Sequence, residues 1–429
     1  MKVALISVEN NIIRRERPDY EFFTNLKEFK RRKALWTCPN LSLLTVAGLL
    51  PLDWEYIYKD LNFDVLDDEE YDMALISVTT AQAPRAYEIA DYYRRRGIKV
   101  VMGGIHTTVM PEEALQHADA VCIGEFENVA DTFITDVKLG KIRSLYNGKK
   151  YVSLDKSCIP RYDLAEKYPY HVVPLQITRG CPHQCEFCAS SAVYGKIRRQ
   201  KPLNLIDENI QAILSHWTFP YLFFTDDNLF IDDSFTKELM TILLKHRLQW
   251  YAFSDVRIAQ KKDLLKLMHN AGCRQLLIGF ESLSEASLRK VNQSQWKRKQ
   301  IRDYHDAVNA IQEQGIGVVG SFMLGLDDEG DDAFVRIPEF VENTNMYATN
   351  ITVLTPFPGT RVYSRFLQEK RIFTTDWKRY NGFELTFYPQ NHSIEWFNAQ
   401  YKELNQRLDS TKRIENMLYY FKNILKGNA

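Results

Sequence analysis

Short runs of apolar and β-branched residues alternate with longer segments of helical periodicity along most of the chain. This alternation is typical of parallel strands joined by helical crossovers. In the first third of the chain the strand-like runs are Lys2–Ser7, Met73–Val78, Ile98–Met102 and Asp119–Ile123, and the helical segments are Leu41–Leu50, Pro84–Arg96, Pro111–Gln116 and Glu127–Leu139. We therefore expect residues 1–145 to form a doubly wound, Rossmann-like α/β domain with its ligand at the carboxyl ends of the strands.

Two stretches interrupt this pattern. Residues 10–40 carry charged runs, and we expect an excursion there that forms either a lid or a solvated helix. Residues 146–171 are also irregular, since Asn147-Gly148 is typical of a turn and Lys149–Val152 of a short hairpin arm. We interpret residues 146–171 as a linker between two domains.

From residue 172 the alternation resumes in six β/α units, which predict a partial or complete TIM-like (β/α)6 barrel over residues 172–360. Its strand-like runs are Val172–Thr178, Tyr221–Thr225, Trp250–Phe253, Gln275–Phe280, Gly317–Met323 and Asn350–Leu354. Such barrels carry their chemistry at the carboxyl ends of the strands. Residues 361–429 become helical and rich in aromatic residues, so we expect them to form a cap that covers the substrate.

The composition narrows the class of protein. The chain has 429 residues, 45% of them hydrophobic, and its 55 basic residues balance 55 acidic ones. Balanced charge argues against nucleic-acid binding through a broad basic surface, and the apolar content excludes a largely disordered chain. No run of residues approaches the ~18 apolar residues of a membrane span. Seven cysteines, an odd number, argue against a disulfide framework, so we expect a cytoplasmic protein.

Three of the seven cysteines lie within eight residues, directly after the first strand of the predicted barrel. Cys181, Cys185 and Cys188 have the spacing C-x3-C-x2-C. Three thiolates on one loop can hold three corners of a four-iron cluster and leave one iron open to a small ligand. A structural zinc site would need a fourth ligand, which Cys158 or Cys273 could supply, so a zinc-stabilised binding module stays open as an alternative.

The cysteine spacing, with aromatic Phe187 just before the last cysteine, resembles the signature of the radical SAM superfamily. The resemblance implies a [4Fe-4S] cluster whose open iron binds the amino and carboxylate groups of S-adenosylmethionine (SAM). It also implies an electron donor such as flavodoxin or ferredoxin, since one electron cleaves SAM to a 5′-deoxyadenosyl radical. That radical would abstract hydrogen from an unactivated carbon of a small-molecule substrate, and Phe187 would lie close to SAM.

Asp226, Asp227 and Asn228 follow the second barrel strand. They stand where the family has an acidic or Gly-Gly-Glu motif that binds the ammonium of SAM, which implies the same role here. A carboxylate facing an ammonium makes a strong hydrogen bond. The alternative is that these residues end the strand and help to begin the next helix.

The third and fourth barrel strands also end in polar residues. The resemblance implies that Ser254 and Arg257 contact the ribose or carboxylate of SAM, and the planar guanidinium of Arg257 suits a carboxylate. It implies that Glu281 pairs with the ribose hydroxyls. A carboxylate at the end of an apolar strand needs such a partner if it is buried.

The N-terminal domain resembles the B12 (cobalamin)-binding domain found in relatives with this layout. The segments that carry the resemblance lie at strand ends, where glycine lets a backbone approach a flat cofactor. The candidate cobalamin contacts are Thr79, Gly103, Gly104, His106, Gly124 and Glu125. The D-x-H-x-x-G motif that supplies a cobalt ligand is absent, so we expect His106 to be a turn residue near the cofactor. Glycine turns also suit plain α/β packing.

These features together favour a cobalamin-dependent radical SAM enzyme that acts on an unactivated carbon of a small molecule or natural product. Methyl transfer is the favoured reaction. Radical ring formation or rearrangement without methyl transfer is the alternative within the class, and a zinc-stabilised binding module is the alternative outside it. No residue is assigned to a catalytic proton or hydrogen transfer.

Overall fold

A computed structural model of the chain describes residues 1–9, 37–291 and 294–427. Most of the predicted excursion at residues 10–40 lies outside the described residues. Two parallel six-stranded sheets form the framework, which confirms the predicted α/β fold class. A helical segment follows the second sheet.

The first sheet has the strand order β2-β1-β3-β4-β5-β6. Its strands are β1 (Lys2–Ser7), β2 (Glu55–Asp60), β3 (Met73–Ser77), β4 (Lys99–Gly103), β5 (Ala120–Gly124) and β6 (Leu145–Gly148). Its helices are α1 (Leu41–Leu49), α2 (Ala83–Arg95), α3 (Ile105–Val109), α4 (Pro111–Ala114) and α5 (Ala130–Lys138). The strand order reverses at β1, and in open α/β sheets such a reversal opens a crevice at the carboxyl ends.

The strands β2 and β6 were not predicted from the sequence. Asn147-Gly148, which we expected to be a turn, lies in β6 and pairs in parallel with Ile123-Gly124 of β5. A Cβ on Gly124 would lie 2.4 Å from the carbonyl oxygen of Gly148, so glycine permits this close pairing. The tertiary contact therefore overrides the local turn preference.

Alternation along the first sheet separates two cores. Val3 and Leu5 of β1 face a large core that continues into the second sheet. Ala4 and Ile6 face a separate core formed with α2. This period of two is what a strand buried on both faces requires.

The second sheet has the order β14-β13-β12-β11-β10-β7, with β7 and β14 at its edges. The six strands therefore form a partial barrel, as predicted. They are β7 (Val172–Leu175), β10 (Tyr221–Phe224), β11 (Gln249–Ser254), β12 (Cys273–Glu281), β13 (Gly317–Leu324) and β14 (Ala348–Val353). Between β7 and β10, the short strands β8 (Thr178–Arg179) and β9 (Arg199–Gln200) form an antiparallel pair.

Helices cover the outer face of the barrel strands. Leu222, Phe224 and Trp250 point outward and pack in the large core with residues of the surrounding helices. The helices are α6 (Ala189–Tyr194), α7 (Leu203–Leu214), α8 (Asp233–His246), α9 (Lys262–Asn270), α10 (Glu285–Val291), α11 (Trp296–Gln300), α12 (Tyr304–Gln312) and α13 (Ala333–Asn343). In the described part of the chain, no helix combines the length and hydropathy that crossing a membrane would require.

The C-terminal segment contains α14 (Arg361–Gln368), α15 (Ile394–Leu408) and α16 (Thr411–Gly427). Its aromatic residues were expected to cover the substrate, but several of them are fully enclosed. Trp377 and Tyr380 pack into the separate core of the first sheet. Phe387 and Phe397 pack in the large core. We call residues 370–388 the strap, because it ties the two sheets together.

Candidate functional site

Backbone geometry shapes the cysteine loop, residues 180–188, which follows β8. Gly180 has φ +88°, and a Cβ there would lie 2.3 Å from the carbonyl oxygen of Ile197, so glycine is required. The amide of Cys181 donates to Gly195 at 3.2 Å, and the amide of Cys188 donates to Cys185 at 3.2 Å. The loop therefore folds back on itself and carries its three cysteines at the carboxyl end of β7.

The three thiols sit in a setting that suits a positively charged metal cluster. Burial is the largest of the causes that raise the pKa of Cys181 to about 11 and that of Cys185 to about 12, and neighbouring thiols act in the same direction. Since iron clusters bind thiolates, a cluster would supply the positive charge that these buried sulfurs need. The donor set therefore fits a [4Fe-4S] cluster.

The zinc alternative lacks its fourth ligand. Cys158 donates through Sγ to the carbonyl oxygen of Thr45 at 3.4 Å. Cys273 begins β12 at the amino end of the barrel, opposite to the cysteine loop. Over residues 1–9, 37–291 and 294–427, no three His, Cys, Asp or Glu side chains are grouped so as to hold one metal ion.

Glu186, inside the cysteine loop, anchors it to helices far along the chain. Its amide donates to the carbonyl of Val291 at 2.9 Å, and its carbonyl accepts from Val362 at 3.2 Å. Its carboxylate accepts from Arg365 at 2.9 Å, and Arg365 also pairs with Asp327. Sequence reasoning missed this anchor, because Glu186 and Arg365 are separated by 179 positions and share no local pattern.

Asp226, predicted as a SAM contact, makes hydrogen bonds with residues just before the cysteine loop. Its side chain is fully buried, and Oδ1 accepts from the amide of Ile177 at 3.1 Å and from the hydroxyl of Thr178 at 2.6 Å. Burial raises the pKa of Asp226 to about 7, although these hydrogen bonds act to lower it. Its oxygens thus fix the start of the cysteine loop instead of facing a ligand.

Asp227 lies beside the loop and faces an open space. It lines the cavity between the two sheets described below. Burial raises its pKa, although Ser190 and the amide of Gly180 donate to its carboxylate. The structure therefore places Asp227, unlike Asp226, where it can meet a bound molecule.

Asn228 and Arg257 converge on Asp255 at the mouth of the barrel. Asn228 donates to Asp255 Oδ2 at 2.8 Å, and Arg257 donates through Nε to Oδ1 at 3.0 Å. His183 Nε2 lies 3.2 Å from Oδ2, and its ring stacks on Trp296 at 4.1 Å. Burial opposes the charge on Asp255, but these hydrogen bonds outweigh burial and hold its pKa well below the usual range.

We call Asp255, Asn228, Arg257 and His183 the Asp255 cluster. Sequence reasoning missed two of its members, His183 and Asp255. Their signal was available, because His183 lies within the cysteine loop and Asp255 lies between Ser254 and Arg257. Ser254 is buried, and its hydroxyl donates to the carbonyl of Asp255 at 3.2 Å. Phe187 packs against the large core.

Glu281 forms a buried ion pair with Lys297. Lys297 Nζ lies 2.5 Å from Glu281 Oε1 and donates to the carbonyl of Gly279 at 2.7 Å. Burial favours a neutral Lys297, yet the Glu281 charge outweighs burial and raises the pKa of Lys297. Gly279 makes room for the pair, because a Cβ there would lie 2.6 Å from Glu281 Oε1. The predicted ribose contact therefore has a protein partner that the sequence did not reveal.

A cavity of about 380 Å³ lies between the carboxyl ends of the two sheets. Of the predicted cobalamin contacts, the structure places five at its wall: Thr79, Gly103, Gly104, Gly124 and Glu125. Gly104 has φ +109°, and a Cβ there would lie 2.7 Å from the backbone of Val78. Apolar side chains of α1, β3 and β4 cover much of the remaining wall, including Leu41, Val46, Leu49, Leu75 and Val101. Bare backbone and apolar surface fit a broad, flat ligand.

His106, predicted as a turn residue near cobalamin, has its side chain turned away from this cavity. It is fully buried, with Nε2 3.1 Å from the hydroxyl of Tyr87 and its ring 5.4 Å from that of Trp377. Residues 103–105 end at the cavity, and the short helix α3 then carries the side chain at 106 to the opposite face of the sheet. The lining residues in the described part of the chain include no histidine, which fits a cobalamin without a histidine ligand.

Comparison with protein families identifies both halves of the molecule. The profile of the Radical SAM superfamily matches residues 175–341. The profile of the B12 binding domain matches residues 31–134. The cavity thus lies between the region that matches the B12 binding domain and the region that matches the Radical SAM superfamily.

Two curated relatives match most of the chain. Bacteriochlorophyllide d C-12(1)-methyltransferase of Chlorobaculum tepidum is 27% identical over 399 residues, covering 91% of this chain and 83% of the relative. An uncharacterized methyltransferase of Synechocystis sp. is 30% identical over 370 residues, covering 83% of this chain and 67% of the relative.

Two solved structures share the fold. The cobalamin-dependent SAM radical enzyme OxsB has a TM-score of 0.63 at 16% identity, covering 86% of this chain and 55% of that chain. The chain therefore spans about half the length of OxsB. The radical SAM methyltransferase TsrM from Kitasatospora setae has a TM-score of 0.65 at 14% identity, covering 86% of this chain and 78% of that one.

The two sheets and the cysteine loop define a class of enzyme that joins a radical-generating barrel to a corrinoid-binding domain. The chain belongs to the radical SAM superfamily, in its cobalamin-dependent class. Its cofactors are accordingly a [4Fe-4S] cluster, SAM and cobalamin.

Proposed function

We propose that this enzyme transfers a methyl group to an unactivated carbon of a planar, largely apolar ring compound. The cavity between the sheets carries the proposal, because the glycine ends of the first sheet line it together with Arg179 and Ser190, which flank the cysteine loop. Asp227 from the barrel and Gly104 from the first sheet line the same space. Two cofactors bound at these positions would face one substrate.

Each cofactor has residues suited to it. Cys181, Cys185 and Cys188 would hold the cluster. Asp227, the Asp255 cluster and Glu281 would orient SAM, and the glycine ends of β4 and β5 would lie against cobalamin. When bound, these groups supply a 5′-deoxyadenosyl radical and a methyl group. The protein positions them and keeps water away from the reacting carbon.

The inner face of the barrel supports the choice of substrate. Tyr221, Phe223, Tyr251 and Phe253 alternate with the outward-facing core residues and form a cluster of stacked and edge-on rings with centroids 4.5 to 5.3 Å apart. Inward positions of the neighbouring strands carry the apolar residues Leu277, Val319 and Met323 as well as the small or polar residues Gly279, Ser321 and Thr352. Aromatic and apolar surface with a few polar groups suits a planar ring system with polar substituents. The methyltransferase from Chlorobaculum tepidum, named for a tetrapyrrole, supports the same class.

An electron donor is part of the proposal. Reductive cleavage of SAM consumes one electron, which the chain's own side chains do not supply. A low-potential partner protein such as flavodoxin or ferredoxin would deliver it to the cluster. Replacing the partner with a chemical reductant should restore SAM cleavage in the purified enzyme.

The test is anaerobic reconstitution with iron, sulfide and cobalamin, followed by turnover with methyl-labelled SAM and a set of tetrapyrroles. Methyl transfer predicts a labelled product together with S-adenosylhomocysteine and 5′-deoxyadenosine. A product that forms with 5′-deoxyadenosine alone would reject methyl transfer in favour of ring formation or rearrangement.

A variant pair tests the aromatic wall. Phe223→Leu should raise KM for the substrate by about 5-fold, because it removes stacking of about 1 kcal/mol from the wall. Phe219→Leu is the control, since Phe219 is 94% exposed. Equal KM values for the two variants would place the substrate elsewhere.

A further inference from the structure

Four charged side chains join the two sheets at the edge of the cavity. Glu125 and Glu127 follow β5 in the first sheet, whereas Arg179 ends β8 and Arg199 begins β9. Arg179 Nη1 lies 3.2 Å from Glu125 Oε2, and its Nη2 donates to Glu127 Oε1 at 2.7 Å. Arg199 Nη1 lies 2.7 Å from Glu125 Oε1. We call these four residues the inter-sheet clamp.

The side chains of the clamp are largely buried. None of its four side chains is more than 16% exposed, and that of Glu125 is 3% exposed. A buried ion-pair network adds little net stability compared with apolar packing, but it strongly disfavours any geometry that leaves a charge unpaired. The clamp is therefore suited to fixing the relative position of the groups that it joins.

Arg179 connects the clamp directly to the cysteine loop. It lies two residues before Cys181, and its Nε donates to Gln176 Oε1 at 2.8 Å. Nε of its guanidinium thus donates to a residue of the barrel region, whereas Nη1 and Nη2 contact carboxylates that follow the first sheet. Arg199, its partner in the β8–β9 pair, also donates to the carbonyl of Val152 at 2.9 Å. A shift of the first sheet would therefore pull on the base of the cysteine loop.

The position of Glu125 explains why a clamp acts at this point. Glu125 lines the cavity directly after Gly124, whose backbone bounds the same cavity. One side chain thus joins the wall proposed for cobalamin to the loop proposed for the cluster. The sequence suggested Glu125 as a cobalamin contact, but its carboxylate is occupied by two arginines.

We propose that Arg179 and Glu125 are positioning residues that set the distance and orientation between the cysteine loop and the cobalamin wall of the cavity. This inference rests on the proposed function. With the clamp intact, the substrate carbon that loses hydrogen is the one that faces the methyl donor. With the clamp broken, SAM is still cleaved, but the methyl group is transferred less often for each radical formed.

The experiment compares wild-type holoenzyme with Arg179→Lys and Glu125→Gln, each reconstituted with cluster and cobalamin. Iron and cobalamin content confirm that both cofactors are bound. Methylated product per 5′-deoxyadenosine should fall by about 10-fold or more in both variants, since small displacements of reacting groups have large effects on rate. Arg85→Gln is the matched control. It breaks the ion pair in which Arg85 lies 2.7 Å from Glu9, and neither residue lines the cavity.

A second readout does not depend on turnover. Reduced cluster and cob(II)alamin are both paramagnetic, so pulsed dipolar spectroscopy on frozen holoenzyme measures the distance between them. Wild type and Arg85→Gln should give one narrow distance distribution, and the two clamp variants a broader or shifted one. If wild type shows this distance but makes no methylated product, the proposed function fails and the clamp stands.

Two results would overturn the clamp itself. One is an unchanged distance distribution together with an unchanged product ratio in both variants. The other is a loss of product that follows the loss of bound iron in proportion, which would show a structural role alone. If Arg179→Lys does not fold, Glu127→Gln takes its place, because it removes one ion pair and leaves Arg179 attached to Glu125.

Discussion

The cysteine loop and the glycine wall of the cavity, which contains Gly103, Gly104 and Gly124, are built in different ways. The loop is held by side chains from distant parts of the chain, including Arg365 on α14 and Asp226 after β10, with the buried Lys297–Glu281 pair close by. The glycine wall is mostly bare backbone and apolar surface. A charged cluster needs a surrounding set of compensating charges, whereas a flat cofactor needs close approach over a broad area.

This contrast predicts that the two sites fail separately. The largest effect is expected for Cys185→Ala, which should abolish iron binding and SAM cleavage because two thiolates cannot hold the cluster. The same variant should bind cobalamin as wild type does. Iron content, 5′-deoxyadenosine formation and cobalamin stoichiometry measure these three properties.

Cys158→Ala is the control for this experiment, because Cys158 lies outside the cysteine loop and bonds to Thr45. It should keep its iron. Retained SAM cleavage in Cys185→Ala, or lost cobalamin, would contradict separate sites.

Lys297→Gln is expected to have the next largest effect. It leaves Glu281 buried without its cation, which costs about 3–5 kcal/mol of unfolding free energy. Urea denaturation of the apoprotein measures the change. Lys299→Gln, at an exposed position two residues further on, should change stability by less than about 0.5 kcal/mol. Similar values for both variants would mean that the ion pair is not maintained in solution.

Gly104→Ala tests the glycine wall. Its positive φ costs about 1–2 kcal/mol, and the Cβ placed 2.7 Å from Val78 adds about 1–3 kcal/mol. Gly97→Ala is the control, because Gly97 also has a positive φ but has open space around its Cβ position. We expect Gly104→Ala to bind cobalamin more weakly than wild type, and Gly97→Ala to bind it as tightly as wild type. Titration with cobalamin measures both, and equal affinity would show that the wall does not bind the cofactor.

The effect of Asp226→Asn should be seen as a change in the pH dependence of stability. Because burial raises the folded-state pKa of Asp226 from 3.8 to about 7, the folded chain holds a proton that the unfolded chain has lost in this range. Its contribution to stability therefore decreases as pH rises from about 4 to about 7, by at most ~1.4 kcal/mol per pH unit. The difference in stability between wild type and Asp226→Asn should follow that slope. A constant difference across this range would show that Asp226 is already ionised.

The sequence revealed the parts of the site that depend on local pattern. The cysteine spacing and the glycines at strand ends can be recognised without knowing the fold, because thiolate ligation and positive φ constrain residue type. The six-unit barrel also followed from periodicity.

Other features depend on contacts between distant residues. The Glu186–Arg365 and Glu281–Lys297 pairs join charges that no local pattern connects. The direction of His106 depends on how α3 leaves β4, since a rotation of half a turn moves its side chain from the cavity to the opposite face. The strand β6 was missed because its Asn-Gly pair is a turn signal that pairing with β5 overrides.

The strap has a consequence for exchanging modules between related enzymes. Trp377 donates to Glu113 at 2.9 Å, and with Tyr380 it fills the core behind the first sheet. A chain cut after the barrel would leave that core open to water, so the N-terminal half is completed by residues that follow the barrel. Chimaeras that swap this half should therefore carry its matching strap, and the two halves should melt in a single transition.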